Sequence, residues 1–350
     1  MKRFDRSLRR VIVAAVLAVT VVPQLVGCAQ EAATTSAAWV RPGASAQASA
    51  GPSGAASGSD ATSGSGAQHG SAKPEPTAGK VMLGEYLDLK GQSEQQSLTL
   101  RQQQLGRQPR IIHQYFDWSQ PMPSTLSGLP TGSILLISWS GTFYAPIING
   151  SQDALIAKAA DALAALKTPV FLRWAWEMNG NWSDWGGAEN NDNPANFITA
   201  WRHIHDIFVA HKANNVSWVW GPNAGSVPQK SWNDMGNYYP GDSYVDWVAV
   251  SGYFTGRETP ASLFNGITSK YGARKPVMIA ETGALEKGGT VKADWIRALE
   301  SWIKEHPAVG ALVWFDTDND HNNGKNWRID SSPSSLAAYR ALATDPHFSG

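Results

Sequence analysis

Residues 169–187 read PVFLRWAWEMNGNWSDWGG, and the chemical character of the chain changes halfway along them. Pro169, Val170, Phe171 and Leu172 form a short apolar run entered through a proline, the pattern of a buried strand. Directly after it Arg173, Trp174, Trp176, Glu177, Asn179, Trp182 and Trp185 crowd together. Polar groups at the C-terminal ends of strands are where barrel and open-sheet α/β proteins place their chemistry. Tryptophans beside them offer flat apolar faces with one N–H each, a surface suited to sugar rings. A surface turn beside core tryptophans would account for Glu177 alone. A second carboxylate downstream argues for more.

Outward from this stretch, short apolar runs alternate with segments of helical period. Strands are expected at residues 81–86, 110–116, 134–138, 170–173, 216–220, 247–251, 277–280 and 311–315. The clearest helices between them are expected at 152–166, 194–211, 260–271, 292–305 and 333–342, with Asp192 or Asn193 capping the second and Pro260 opening the third. Eight strands in such an alternation, over a length close to the usual 250 residues, predict an α/β protein with a single (β/α)8 TIM barrel. A doubly wound sheet is the alternative. No glycine-rich phosphate turn follows the first strand, so a dinucleotide site is not expected.

In this count Glu177 lies just past strand four and Glu281 at the tip of strand seven, on one rim of the barrel. Glycoside hydrolysis uses such a pair: one carboxylic acid protonates the leaving oxygen, and the other attacks the anomeric carbon or activates water. The remaining tips carry His113, Tyr115, Asp117 and Trp118 after strand two, Trp139 after strand three, Trp220 and Asn223 after strand five, Tyr253 after strand six, and Trp314 with Asp316 after strand eight. Together they suggest a sugar-binding groove.

The 350 residues carry no formal net charge, which gives no reason to expect nucleic acid as a partner. The N-terminus reads as an export signal over residues 1–28. Lys2, Arg3, Arg6, Arg9 and Arg10 precede the twelve-residue apolar run from Val11 to Val22, which is short for a membrane span. Leu25-Val26-Gly27-Cys28 then resembles the bacterial lipobox, and Cys28, the only cysteine, is the expected lipidation site. Residues 29–79 are dominated by Ala, Ser, Gly, Thr and Pro, too poor in large apolar side chains to form a core; a tether is expected there. The catalytic domain is then expected at 80–350. No cofactor or metal is expected either. Asp316, Asp318 and Asp320 imitate the start of a calcium loop, but His321 stands where glycine is needed and Trp327 where glutamate is needed.

Arg173-Trp174-Ala175-Trp176-Glu177-Met178-Asn179-Gly180 resembles the acid/base motif of glycoside hydrolase family 26. Residues 218–223 (WVWGPN), 244–247 (YVDW) leading into Ser251-Gly252-Tyr253, and 276–283 (PVMIAETG) continue the resemblance in order. It implies a retaining enzyme of the β-mannanase, mixed-linkage β-glucanase or β-1,3-xylanase kind. By position it implies Glu177 as acid/base, Glu281 as nucleophile and Tyr253 as the nucleophile's hydroxyl partner. Arg173, Asn179, Trp182 and Trp314 would shape the sugar subsites, with Trp220 and Asn223 beside them. The chain departs from the family's pattern at Trp176, where many members have histidine; an indole there is expected to offer a face to sugar and to alter substrate choice. The expected product is therefore an extracytoplasmic, lipid-anchored, monomeric endo-β-glycanase acting on a polysaccharide. A barrel that binds polysaccharide without turnover, or a transglycosylase, would carry much of the same sequence.

Overall fold

A computed structural model of the protein describes residues 73–319 and 324–350. The export signal, Cys28, most of the tether, Asp320 and His321 lie outside the described residues. Eight strands run parallel and in sequence order: β1 (Met82–Asp88), β2 (Ile111–Phe116), β3 (Ile134–Trp139), β4 (Val170–Trp174), β5 (Val216–Trp220), β6 (Trp247–Phe254), β7 (Val277–Ala284) and β8 (Val309–Thr317). β8 pairs with β1, which closes the barrel. The α-helices are α1 (Glu94–Leu105), α2 (Tyr144–Ile148), α3 (Asp153–Ala165), α4 (Pro194–Ala210), α5 (Pro260–Tyr271), α6 (Val291–Glu305) and α7 (Pro333–Thr344). This is the expected (β/α)8 architecture, with two crossovers that depart from the regular unit. Between β2 and β3 runs a loop, and between β5 and β6 a chain of 3₁₀ turns from Ser231 to Tyr244.

The strands read as continuous apolar runs because both of their faces are buried. Inward-facing Met82, Ile111, Leu136, Phe171, Val219, Ala249, Met278 and Val313 fill the barrel, while alternate residues pack under the helices. Gly84 is needed on the inner face of β1, since a Cβ there would lie 2.6 Å from Cβ of Ile111. The helix ends follow their sequence signals: Asn193 accepts from Ala195 N at 3.1 Å ahead of Pro194, and Thr259 caps α5 through a reciprocal bond with Ser262.

Two features depart from the sequence reading. Helix α1 has no apolar stripe to reveal it; its buried residues are Ser97, Leu98, Arg101 and Leu105. Arg101 is fully buried because its guanidinium meets Asp316 at 2.5 and 3.0 Å and Asp330 at 2.8 Å. Asp316 therefore faces the helix layer and not the mouth of a cleft. The second departure lies below the barrel, where the compositional tether was expected to run to residue 79. Lys73 is paired with Asp246 at 2.7 Å, and the Trp247 indole donates to the carbonyl of Pro74 at 3.1 Å. These residues seal the floor of the barrel, so the packed chain extends upstream of Lys80.

Candidate active site

The catalytic-looking rim is built from the loop that leaves β4. After Trp174 the backbone turns sharply, with Ala175 at φ 47° and Glu177 at φ 55°. Side chains other than glycine avoid this left-handed region, so the turn is strained and is held by its surroundings. Glu177 N donates to Gly221 O at 2.8 Å, and the Trp185 indole donates to Trp176 O at 2.7 Å. Gly180 lets Trp182 fold back, because a Cβ at 180 would lie 2.4 Å from the Trp182 ring. Folded in this way, half-buried Trp182 donates its indole N–H to Glu177 Oε2 at 3.1 Å. The other carboxylate oxygen, Oε1, accepts from Asn223 Nδ2 at 2.9 Å.

The orientation of the Asn223 amide is fixed by its neighbours. Its Oδ1 accepts from Gly225 N at 2.9 Å, which leaves the NH₂ group for Glu177. Asn179 bonds the backbone of Asn223 twice, accepting from its N–H at 2.8 Å and donating to its carbonyl at 2.9 Å. Asn179 is wholly buried, so it ties the loops after β4 and β5 together and does not reach toward a ligand.

Glu281 owes its direction to an irregularity in β7. Val250 is paired with Ile279 but Ser251 with Glu281, so β7 holds one extra residue there. The same residue appears as an offset against β8, where Ile279 meets Leu312 and Thr282 meets Trp314. A bulge of this kind breaks the alternation and re-aims a side chain. Ala280 and Glu281, adjacent in sequence, both face the barrel interior. Three donors converge on Glu281: Tyr253 on Oε1, and Tyr115 at 2.6 Å and Arg173 Nη2 at 2.5 Å on Oε2.

Arg173 is fully buried and also donates from Nε to Ser138 Oγ at 2.9 Å and from Nη1 to Ser251 Oγ at 3.3 Å. Burial opposes its charge, but Glu281, Tyr115 and Glu177 outweigh that effect and hold its pKa above the ordinary value. Burial, with the charge of Glu281, pushes the Tyr115 and Tyr253 hydroxyls well above 10, so both remain donors. Glu177 also acts on Tyr253 and Arg173, which places the two carboxylates in one electrostatic neighbourhood.

The aromatic residues sort by strand face. Trp220 and Trp314, expected in the groove, point outward and are fully buried beneath the outer layer. Trp220 packs on Tyr239 and Tyr271, covering the crossover that lacks an α-helix; Trp314 packs on Trp295 and Tyr339 and donates to Trp327 O at 2.9 Å. The reason is alternation: Val219 and Val313 face inward, so the next residue on each strand faces outward. Trp176, expected to offer a face to sugar, is 2% exposed and turned against Tyr115, Trp185 and Arg173. Around Glu281, Tyr253 packs on Trp327 at 4.8 Å and Tyr86 stacks on Phe315 (5.0 Å, 12°), with Phe315 and Trp327 themselves buried. Period-two counting along β8 from Val313 would have selected Phe315 over Trp314. Trp327 had no such signal, because its loop comes back from outside the strand.

Residues 132–340 match the family model described as Glycosyl hydrolase family 26. Endoglucanase H of Acetivibrio thermocellus is 37% identical over 253 residues, covering 67% of this chain and 27% of that protein. Mannan endo-1,4-beta-mannosidase A and B of Caldalkalibacillus mannanilyticus is 32% identical over 185 residues, covering 50% of this chain and 34% of that one. The matches thus span about a quarter to a third of these relatives' own lengths. Among solved structures, a β-mannanase from Bacteroides ovatus superposes with a TM-score of 0.56 at 17% identity, over 77% of this chain and 90% of that one, a likeness of fold. With the matched region running from just before β3 into α7, and so holding Glu177 and Glu281, the chain belongs to glycosyl hydrolase family 26.

Proposed function

We propose that the protein is a retaining endo-β-glycanase that hydrolyses a β-linked polysaccharide of the β-mannan or β-glucan type. Family membership supports glycosidic-bond hydrolysis, and the relatives' names, endoglucanase and mannan endo-1,4-beta-mannosidase, support that choice of polymers. One observation carries the mechanism: the two rim carboxylates have different hydrogen-bond partners. Glu281 is met by a guanidinium and two tyrosine hydroxyls, an arrangement suited to an ionised nucleophile. Glu177 accepts one hydrogen bond from an indole and one from an amide, an arrangement suited to a group that gives and takes a proton.

In the first step Glu281 bonds to the anomeric carbon as the glycosidic C–O bond breaks, and the leaving oxygen takes the proton of Glu177. In the second, Glu177 removes a proton from water, whose oxygen displaces Glu281 and restores the β-configuration. Neither step calls on a metal or cofactor. Release of reducing ends from β-mannan, mixed-linkage β-glucan and xylan tests the activity. Release is expected on at least one of the first two polymers and is lost in Glu281→Ala. No release on any of them, or full release by that variant, contradicts the proposal.

The same proposal places the enzyme outside the cytoplasm, acting as a monomer and held to the membrane by lipid on Cys28. Its support is the basic, apolar and lipobox order of residues 1–28. Cys28→Ala should move the protein from the membrane fraction to the soluble fraction; unchanged membrane association contradicts the anchor.

A further inference from the structure

Tyr115 and Trp176 stand against the reacting groups, yet the two-step reaction assigns them no task. We propose that Tyr115 is a further positioning residue: together with Arg173 it occupies Oε2 of Glu281 and leaves Oε1 as the attacking oxygen, while Trp176 braces both donors. The inference rests on the reading of Glu281 as the nucleophile.

Each oxygen of a carboxylate offers about two acceptor sites. Oε2 accepts from the Tyr115 hydroxyl at 2.6 Å and from Arg173 Nη2 at 2.5 Å, so both of its sites are engaged. Oε1 accepts from Tyr253 and keeps a site for the anomeric carbon. As the Oε1–carbon bond forms, Oε2 becomes the carbonyl oxygen of the glycosyl ester, still held by the same two donors. When water displaces the ester, those donors receive the returning negative charge. Tyr115 thus acts in both steps through one contact.

The surroundings of Tyr115 fix its hydroxyl. Its ring lies 4.4 Å from His113, 5.0 Å edge-on from Tyr86 and 5.2 Å from Trp176. The Arg173 guanidinium carbon lies 5.7 Å from the centroid of the same Trp176 ring. One indole therefore touches both donors to Oε2. With Trp185 packed behind it at 4.8 Å, Trp176 has no face left for a sugar. His113 completes the support. Ser138 Oγ accepts from Arg173 Nε at 2.9 Å and shares a second hydrogen bond of 2.6 Å with His113 Nε2. Burial and the neighbouring Arg173 keep His113 neutral, so no second cation competes for the nucleophile. The ionisable groups around the pair are thus Arg173, His113, Tyr253, Tyr86 and the two glutamates.

The test uses the full-length chain on a β-glycan that it cleaves and Glu281→Ala does not. Absence of that starting difference would sink the functional reading itself, and this inference with it. Given the difference, Tyr115→Phe keeps the ring and removes only the hydroxyl. The expected result is a fall in kcat of about 10- to 100-fold, the scale of one hydrogen bond to a charged group, with KM nearly unchanged. The acid limb of kcat/KM should move to higher pH, because the ionised carboxylate loses a donor. Trp176→Phe, which tests the brace independently, should move the same limb in the same direction by less. An unmoved acid limb in both folded variants, or a loss confined to KM, overturns the proposal.

Discussion

Trp182 and Trp220 carry the same side chain near neighbouring strand ends, and only Trp182 is bonded to a carboxylate. Trp182 is half-buried and its N–H ends on Glu177 Oε2, so Trp182→Phe should lower kcat while leaving the melting temperature nearly unchanged. Trp220 is sealed between the barrel and Tyr239, and Trp220→Ala should cost about 3–5 kcal/mol of stability. Its remaining folded fraction should keep the parent KM. Kinetics and thermal melts of the two variants check this, and the reverse pattern would contradict the placement. The contrast also marks how far single residues were legible. Glu177 and Glu281 stand out because each follows an apolar strand run and the two fall on one rim of the expected barrel. Trp220 and Trp314 were drawn into the same set because tryptophans on the two faces of a strand tip look alike until the alternation is counted.

At the scale of elements, strands were read well because barrel strands are buried on both faces and appear as uninterrupted apolar runs. Helix α1 was not, because it faces the core through Ser97 and Arg101 as well as leucines. A buried arginine is tolerable only with its partners, and Asp316 and Asp330 lie more than two hundred residues downstream. No local pattern carries that information. Nor does the Ala280-Glu281-Thr282-Gly283 segment announce the extra residue that turns Glu281 into the cleft. The Arg101 cluster supplies a test. Arg101→Met leaves buried Asp316 without its cation and should destabilise the fold by about 3–5 kcal/mol. Adding Asp316→Leu should recover part of that loss, since the carboxylate stranded by Arg101→Met is then gone. Urea midpoints for the single and double variants measure it; an additive second loss would show that the pair is not the cause.

At the scale of the whole molecule, the floor and the wall of the barrel each make a separate prediction. A chain starting at Lys73 should melt like the parent, whereas one starting at Lys80 loses the Lys73–Asp246 pair and the Pro74 cap on Trp247 and should melt lower. Equal melting temperatures would show that residues 73–79 add nothing. In the wall, burial and then the charge of Asp316 raise the pKa of Glu85 from 4.5 to about 8. A carboxyl that holds its proton more tightly when folded contributes stability that is complete below its unfolded value and lost as pH rises through about 8. Thermal stability should therefore fall between about pH 5 and pH 8, and Glu85→Gln should flatten that slope; parallel curves for the two proteins would contradict it. The closed barrel matters most for bringing Glu177, after β4, and Glu281, on β7, to one rim, where we propose that they act as acid/base and nucleophile. Glu177→Ala, given an aryl β-glycoside with a good leaving group plus azide, tests that division of labour most directly. The first displacement needs little protonation, and azide replaces water in the second, so the product predicted is the β-glycosyl azide; an α-glycosyl azide would contradict the account.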